Sequence, residues 1–244
     1  MTPRLLVVVV ALAAWSVPAE ALEVYSCDLV QPADHPMACS SSRSRPMCDT
    51  YMDSALFPMR VHYDEGEEDM AAEILTHADL SWMLEVEEWG WDPMGSDEGE
   101  GGSDALDIYI AETGAAAGYA AYEEQIVGGD HYRCTGYIAI GRDIAPDYIP
   151  TTMSHELNHI LQRWTDCVED SQLAEATSVF VQDWYDESEG EGWYNTVYFQ
   201  EGYFRSLDYY ETLEPAQYGS FIFLQYLAER MGDGTPTTAL ELWQ

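Results

Sequence analysis

Residues 150–164 read PTTMSHELNHILQRW, and this segment decides the fold that the sequence predicts. Proline is favoured in the first turn of a helix, so we expect a helix that begins at Pro150 and runs to about Trp164. His155 and His159 lie on the side opposite an apolar stripe with steps of three and four residues, which consists of Met153, Leu157, Ile160, Leu161 and Trp164. The pattern predicts a helix that packs on a core and presents two histidines on its open face.

The two histidines have the spacing of metal ligands on a helix. Side chains four residues apart lie one turn above each other, so both imidazoles of His155 and His159 can reach one ion. Zinc accepts imidazole nitrogens in tetrahedral geometry, and a catalytic site keeps one position for water. Glu156 points about 100° round the helix, where it can take a proton from that water without binding the metal. The segment therefore predicts a zinc site with Glu156 as general base.

A catalytic zinc needs a third protein ligand, and the sequence has no third histidine after this helix. We predict that Glu175 supplies it, because Glu175 lies near the start of the next helix after a turn over residues 166–170. Ala174 and Ala176 are small enough to let the two helices approach. Glu169 and Asp170 are nearer alternatives, but we expect them to lie in the turn and face solvent.

The same segments resemble the active site of a known enzyme family. SHELNHILQ at residues 154–162, followed by LAEA at residues 173–176, is similar to the gluzincin branch of the zincin metallopeptidases, and to its secreted bacterial hyicolysin-like and immune-inhibitor A-like members. YGSF at residues 218–221 and LAERMG at residues 227–232 resemble the helix that follows the third ligand. The resemblance covers roughly residues 55–232, and the HELNH pentapeptide is its most specific part.

The resemblance implies a zincin fold, in which the edge strand of a sheet lies beside the active-site helix and holds an extended peptide. We expect residues 137–140 to form that edge. Thermolysin-like gluzincins place an aspartate four residues after the third ligand to orient a histidine, whereas this chain has Val179 there. The resemblance then leaves a backbone carbonyl or Asp183 to orient His155 or His159.

Peptidases of this kind also present a hydrogen-bond donor to the oxyanion that forms during hydrolysis. Tyr218 is our candidate for a catalytic residue in this role. The rival donors are Tyr203, Tyr209 and Tyr210.

Composition limits the partners of the chain. The 244 residues include 45 acidic and nine basic side chains, which gives a formal net charge of −36. Nucleic acids and anionic membranes are excluded as partners because both require basic patches. We expect a protein or peptide substrate. The acidic loop with Asp92, Asp97, Glu98, Glu100 and Asp104 could bind calcium, and the alternative is a solvated acidic turn.

The N-terminus predicts export. Residues 1–21 have the order of a signal peptide, with Arg4 before an apolar run and small residues before a cleavage site at Ala21. A lipid anchor on Cys27 is the weaker alternative. An exported chain can keep disulfides, and we expect a bond between Cys134 and Cys167, and one bridge among Cys27, Cys39 and Cys48.

The pattern of elements predicts an α+β protein with a strand-rich N-terminal lobe and a helical C-terminal lobe. After a disulfide-bearing lead-in at residues 22–55, a zincin-like domain occupies residues 56–244, and the sequence leaves open whether further domains follow. Strands are expected at 59–63, 106–110, 115–126 and 132–140, and further helices at 67–89, 172–185 and 216–231, the last closed by Gly232.

Two other functions remain open at this point. The zinc site could belong to an exported structural or binding protein that does not turn over substrate. It could also belong to a zinc hydrolase that acts on a bond other than a peptide bond.

Overall fold

A five-stranded mixed sheet forms the first half of the molecule. The computed structural model describes residues 44–128, 131–185, 192–202, 206, 216–232 and 234–244. The strands are β1 (Thr50–Asp53), β2 (Met59–Tyr63), β3 (Leu106–Ala111), β4 (Gly118–Gly128) and β5 (His131–Gly141), in the order β1-β2-β3-β5-β4. β2 and β5 pair with β3 in parallel, whereas β1 and β4 are antiparallel to their neighbours. The two edges of the sheet are therefore β1 and β4.

Helices α1 (Glu68–Trp82) and α2 (Ile149–Thr165) pack on one face of the sheet, and further helices form the C-terminal part of the chain. These are α3 (Ser171–Tyr185), α4 (Gly192–Gly202), α5 (Ala216–Gly219), α6 (Phe221–Arg230) and α7 (Thr237–Trp243). A π-helical turn at Met83–Glu88 extends α1, and short 3₁₀ helices occupy Glu100–Gly102 and Pro146–Tyr148. The structure agrees with the predicted α+β class. In the described residues, no helix has both the length and the apolar character that a membrane crossing needs.

The main core lies between the sheet and helices α1 and α2. Strand residues such as Val61, Ile108 and Ile138 are completely buried there, because the parallel strands are covered by helices on this face. The apolar stripe of α2 enters the same core through Met153, Leu157, Ile160 and Leu161. This packing fixes α2 against the sheet and leaves its histidine-bearing side facing the C-terminal helices.

A second core joins the C-terminal helices. Val179 and Phe180 of α3 pack against Phe221 and Leu224 of α6, and Ala239 of α7 contributes to the same cluster. Val179 is therefore a packing residue, which explains why no aspartate stands at that position.

The structure confirms one disulfide and corrects some element boundaries. Cys134 and Cys167 are bonded as predicted, whereas Cys48 is free and Cys27 and Cys39 lie outside the described residues. The expected helix over 216–231 is divided at Ser220 into α5 and α6. The sequence did not predict β1, α4 and α7, or the two 3₁₀ helices of the described chain.

The predicted edge strand is wrong. Residues 137–140 belong to β5, which lies between β3 and β4 and has neighbours on both sides. The physical reason is the β4–β5 hairpin, which folds β4 onto the outer side of β5. The edge beside α2 is therefore β4, which precedes the predicted strand in the chain.

Candidate metal centre

Three potential ligand atoms converge between α2 and α3. The Nε2 atoms of His155 and His159 lie 3.3 Å and 3.5 Å from Oε2 of Glu175, and the three ligand atoms all lie within 4.8 Å of one another. The imidazole rings are 4.7 Å apart between centroids and nearly perpendicular. This is the only group of three or more His, Cys, Asp or Glu residues with such spacing in the part of the chain that the structure describes.

Hydrogen bonds at the other ring nitrogens orient both imidazoles. Nδ1 of His155 lies 3.0 Å from Oε1 of Gln182, and Nδ1 of His159 lies 3.0 Å from Oε1 of Gln162. An amide oxygen can only accept a hydrogen bond, so each Nδ1 carries the proton. In each neutral imidazole ring, Nε2 then has a free lone pair, and this lone pair points at Glu175.

The orientation of the Gln162 amide follows from its other contacts. Its Nε2 lies 3.0 Å from the backbone oxygen of Ala174, which can only accept, so the amide oxygen must face His159. Ser178 adds a contact of 3.1 Å to Nδ1 of His159. The sequence analysis expected a backbone carbonyl or Asp183 in this role, and the structure instead gives it to Gln182 and Gln162.

The three converging atoms fit a divalent metal ion. Two imidazole lone pairs and a carboxylate oxygen meet, and Oε2 of Glu175 is buried without a hydrogen-bond donor among the described residues. Burial by itself would raise the pKa of Glu175, but when the two imidazoles are protonated, the charge of His159 and hydrogen bonds from both rings hold it well below its usual value. Such a set of nitrogen and oxygen donors suits zinc and other first-row divalent metals.

The turn between α2 and α3, residues 166–170, is held by a disulfide and by hydrogen bonds, and it brings Glu175 to the histidines. The disulfide links the turn to β5, and the backbone N–H of Cys167 donates to the oxygen of Tyr132 at 2.7 Å. Arg163 donates to the backbone oxygens of Cys167 and Glu169 at 3.2 Å and 2.6 Å. Glu169 and Asp170 lie in the turn, as expected, but both are half-buried and do not face solvent freely. Helix α3 starts at Ser171, directly after Asp170.

Glu156 lies between α2 and the edge strand β4. Its side chain is buried, with 7% of the residue exposed, and the backbone N–H of Ala120 hydrogen-bonds its carboxylate. Burial raises the pKa of Glu156 to about 7, while the charge of His155 lowers it and the charge of Glu175 raises it. A Cβ at Gly118 would lie 3.2 Å from Cγ of Glu156, so glycine permits this close approach. The carboxylate is thus placed for proton transfer near neutral pH.

The predicted donor Tyr218 lies beside the histidines. It is half-buried on α5, and its ring centroid is 6.5 Å from that of His155. The rivals Tyr203, Tyr209 and Tyr210 lie outside the described residues.

A buried polar network behind the metal centre was missed by the sequence analysis. Asn158 donates to the Glu85 carboxylate at 2.9 Å, and Gln162 donates to Oδ1 of Asn158. Ser154 lies 3.5 Å from the same carboxylate, so the network runs from the π-helical turn to the ring of His159. The polar residues Ser154, Asn158 and Gln162 recur every four positions on α2, and this stripe was the signal that could have revealed it.

The acidic loop does not gather its carboxylates. Asp97 pairs with Arg45 at 2.6 Å, and Asp104 accepts a hydrogen bond from Ser96. Arg45 also pairs with Asp107 and Glu123, so the carboxylate of Asp97 is turned towards an arginine and not towards the other acids of the loop. Calcium binding by this loop stays a prediction.

Comparison of the chain with protein-family models, with curated proteins and with solved structures found no match. The geometry of the metal centre is therefore the basis for the function proposed below.

Proposed function

We propose that the protein is an exported zinc-dependent endopeptidase of the zincin type. The observation that carries the proposal is the convergence of His155, His159 and Glu175, with the Glu156 carboxylate beside them. The HELNH pattern supports the same conclusion, because it places a base next to two ligands on one helix. A resident zinc ion would polarise the scissile carbonyl and increase the acidity of a bound water.

The proton-transfer step belongs to Glu156. Because the pKa of its carboxyl is about 7, Glu156 can accept a proton from the attacking water and return it to the leaving amine near neutral pH. Its hydrogen bond with Ala120 holds the carboxylate between the helix and the edge strand.

Strand β4 supplies a backbone edge for an extended substrate. In an antiparallel pair, alternate residues direct their N–H and C=O groups away from the partner strand. The oxygen of Ala117 accepts from Gly141 of β5, so the groups of Gly118 and Ala120 point outward, towards Glu156. A peptide that pairs with this edge would pass beside Glu156, which favours peptide substrates over other hydrolysable compounds.

The test compares Glu156→Gln with Glu73→Gln, a matched control at an exposed position of α1. Purified proteins are assayed for zinc content and for cleavage of casein and of a peptide library, with and without a chelator. We expect Glu156→Gln to retain zinc and lose at least 100-fold in kcat, while Glu73→Gln matches the wild type. Wild-type protein that holds zinc and cleaves no peptide would contradict the proposal and favour a binding protein or a hydrolase of another bond.

A further inference from the structure

The strap, residues 44–49, lies on the face of the sheet opposite helices α1 and α2. Tyr137 of β5 points to this face, and its hydroxyl donates to the backbone oxygen of Ser44 at 3.3 Å. Cys48 packs against the same apolar cluster. Directly after the strap the chain enters β1, which is the edge of the sheet farthest from β4. The strap therefore crosses the sheet.

Arg45 anchors the strap to three carboxylates from three different segments. Its Nη2 lies 2.6 Å from Asp97 of the acidic loop and 2.6 Å from Glu123 of β4, and its Nη1 pairs with Asp107 of β3. Nε lies 2.9 Å from the second oxygen of Glu123, so the guanidinium holds this carboxylate through both oxygens. The Arg45 side chain is only 11% exposed. Its loss would leave buried carboxylates without their counter-charge, which is costly.

Glu123 lies in an irregular part of β4. The pairing of β4 with β5 shifts between Tyr122 and Gln125, where residues 123 and 124 stand opposite Thr135 alone. Such a β-bulge bends the strand and leaves the extra residue without a partner in the ladder. The ladder alone therefore does not fix the strand at the bulge, and the bond from Arg45 to Glu123 supplies an anchor from outside it.

Neighbouring residues at the bulge are held on opposite faces of the sheet. Tyr122 faces α2, where the guanidinium carbon of Arg163 lies 5.2 Å from the centroid of its ring. Glu123 faces the strap. At the start of β4, a Cβ on Gly118 would lie 3.2 Å from Cγ of Glu156. The edge between that point and the bulge therefore runs along α2, beside the proposed general base.

Building on the proposed function, we propose that Arg45 is a positioning residue for substrate binding, which holds the peptide-binding edge of β4 in place by clamping Glu123 from the far side of the sheet. A peptide that adds to an edge strand binds through evenly spaced backbone groups, so a displaced strand loses some of these hydrogen bonds. The functional peptidase domain then includes residues 44–55, which the sequence assigned to the lead-in.

The first test is Arg45→Ala in the full chain loaded with zinc. We expect KM for a cleaved peptide to rise about tenfold, as for the loss of one or two backbone hydrogen bonds, with kcat within about twofold. Zinc content should not change, because the ligands lie on α2 and α3. Ethylguanidinium has the atoms that the substitution removes, and it should restore KM, whereas ethylammonium at the same concentration should not. Equal rescue by both cations would contradict a specific clamp.

The second test separates the positioning of β4 from general stability, and it stands even if Arg45→Ala does not fold. Glu123→Gln and Asp97→Asn each remove one charged partner of Arg45, but only Glu123 lies on β4. We expect KM to rise about fivefold in Glu123→Gln and to stay within about twofold in Asp97→Asn. Equal KM values in the two variants would show a merely structural role and overturn the inference.

Hydrogen exchange of backbone amides reports the position of the strand without a substrate. Exchange over Gly118–Tyr122 should be faster in Glu123→Gln than in the wild type, and unchanged in Asp97→Asn. Exchange at the wild-type rate in Glu123→Gln would also overturn the inference.

Two outcomes separate this inference from the proposed function. Active wild type together with an unchanged KM in Arg45→Ala and Glu123→Gln overturns the inference alone. Zinc-loaded wild type that cleaves no peptide overturns the proposed function, and the role of Arg45 in substrate binding falls with it.

Discussion

The side-chain oxygen of Gln162 lies 3.0 Å from Nδ1 of His159, and the nitrogen of the same amide lies 3.0 Å from the backbone oxygen of Ala174. One neutral side chain thus fixes both the tautomer of one histidine and the approach of the helix that carries Glu175. The two helices of the metal centre are coupled through this residue. Its contribution to metal affinity can be measured directly.

Replacement of Gln162 by leucine should weaken zinc binding about 10- to 100-fold, because the partner that orients His159 is lost. Competition with a chromophoric chelator measures the affinity. Gln225→Leu removes an amide that bonds Glu229 on the surface of α6, and it should leave the affinity unchanged. Equal affinity of the Gln162 variant and the wild type would show that the ring of His159 is held by other means.

Glu175→Gln should lower zinc affinity at least 100-fold, because the amide oxygen is a much weaker ligand than the carboxylate. Glu169→Gln changes an acid of the turn six residues earlier, and it should retain the metal. Zinc content after dialysis, read by elemental analysis, gives the result. Full zinc occupancy in Glu175→Gln would exclude this carboxylate as a ligand.

The pKa of Glu85 predicts a pH dependence of stability. Burial raises this pKa well above its ordinary value of 4.5, while hydrogen bonds from Asn158 and Ser154 lower it in part. Between the unfolded and folded pKa values the folded state binds more protons, so its stability falls as the pH rises through that window. Glu85→Gln should flatten this dependence.

Urea unfolding of the zinc-free protein at a series of pH values from 4 upward tests the Glu85 prediction. Glu87→Gln, at an exposed position of the same π-helical turn, is the control and should keep the slope of the wild type. Parallel slopes for Glu85→Gln and the wild type would mean that Glu85 does not titrate on folding.

Removal of the disulfide should destabilise both the fold and the metal centre. The bond joins cysteines 33 positions apart, for which the chain-entropy account predicts a loss of about 2–4 kcal/mol in the free energy of unfolding. Zinc affinity should also fall in a Cys134→Ala/Cys167→Ala variant, since the turn that leads to Glu175 loses its tie to β5. Cys48→Ala, which changes a free thiol, is the control. Unchanged zinc affinity in the double variant would show that the hydrogen bonds of Arg163 and of the Cys167 backbone maintain the turn without the disulfide.

Local patterns in the sequence predicted the elements that carry the centre. The apolar spacing around His155 and His159 indicated α2, and β2 was predicted over its exact length. The pairing of strands was harder to predict from the sequence. The order of β4 and β5 in the sheet depends on how their hairpin folds and not on the composition of either strand. The same holds for Gln182, which reaches His155 only through the packing of α3 on α2. Strand β1 has only four residues, which are too few to show a recognisable alternation of apolar and polar side chains.

The claim on which the account rests is that two imidazoles and one carboxylate bind a single zinc ion. X-ray absorption at the zinc edge, on wild-type protein dialysed against trace zinc, tests it most directly. We expect one zinc per chain with only nitrogen and oxygen neighbours, at roughly 2.0–2.2 Å, and a spectrum typical of two imidazoles. Zinc well below one per chain, or a sulfur neighbour at about 2.3 Å, would contradict the account.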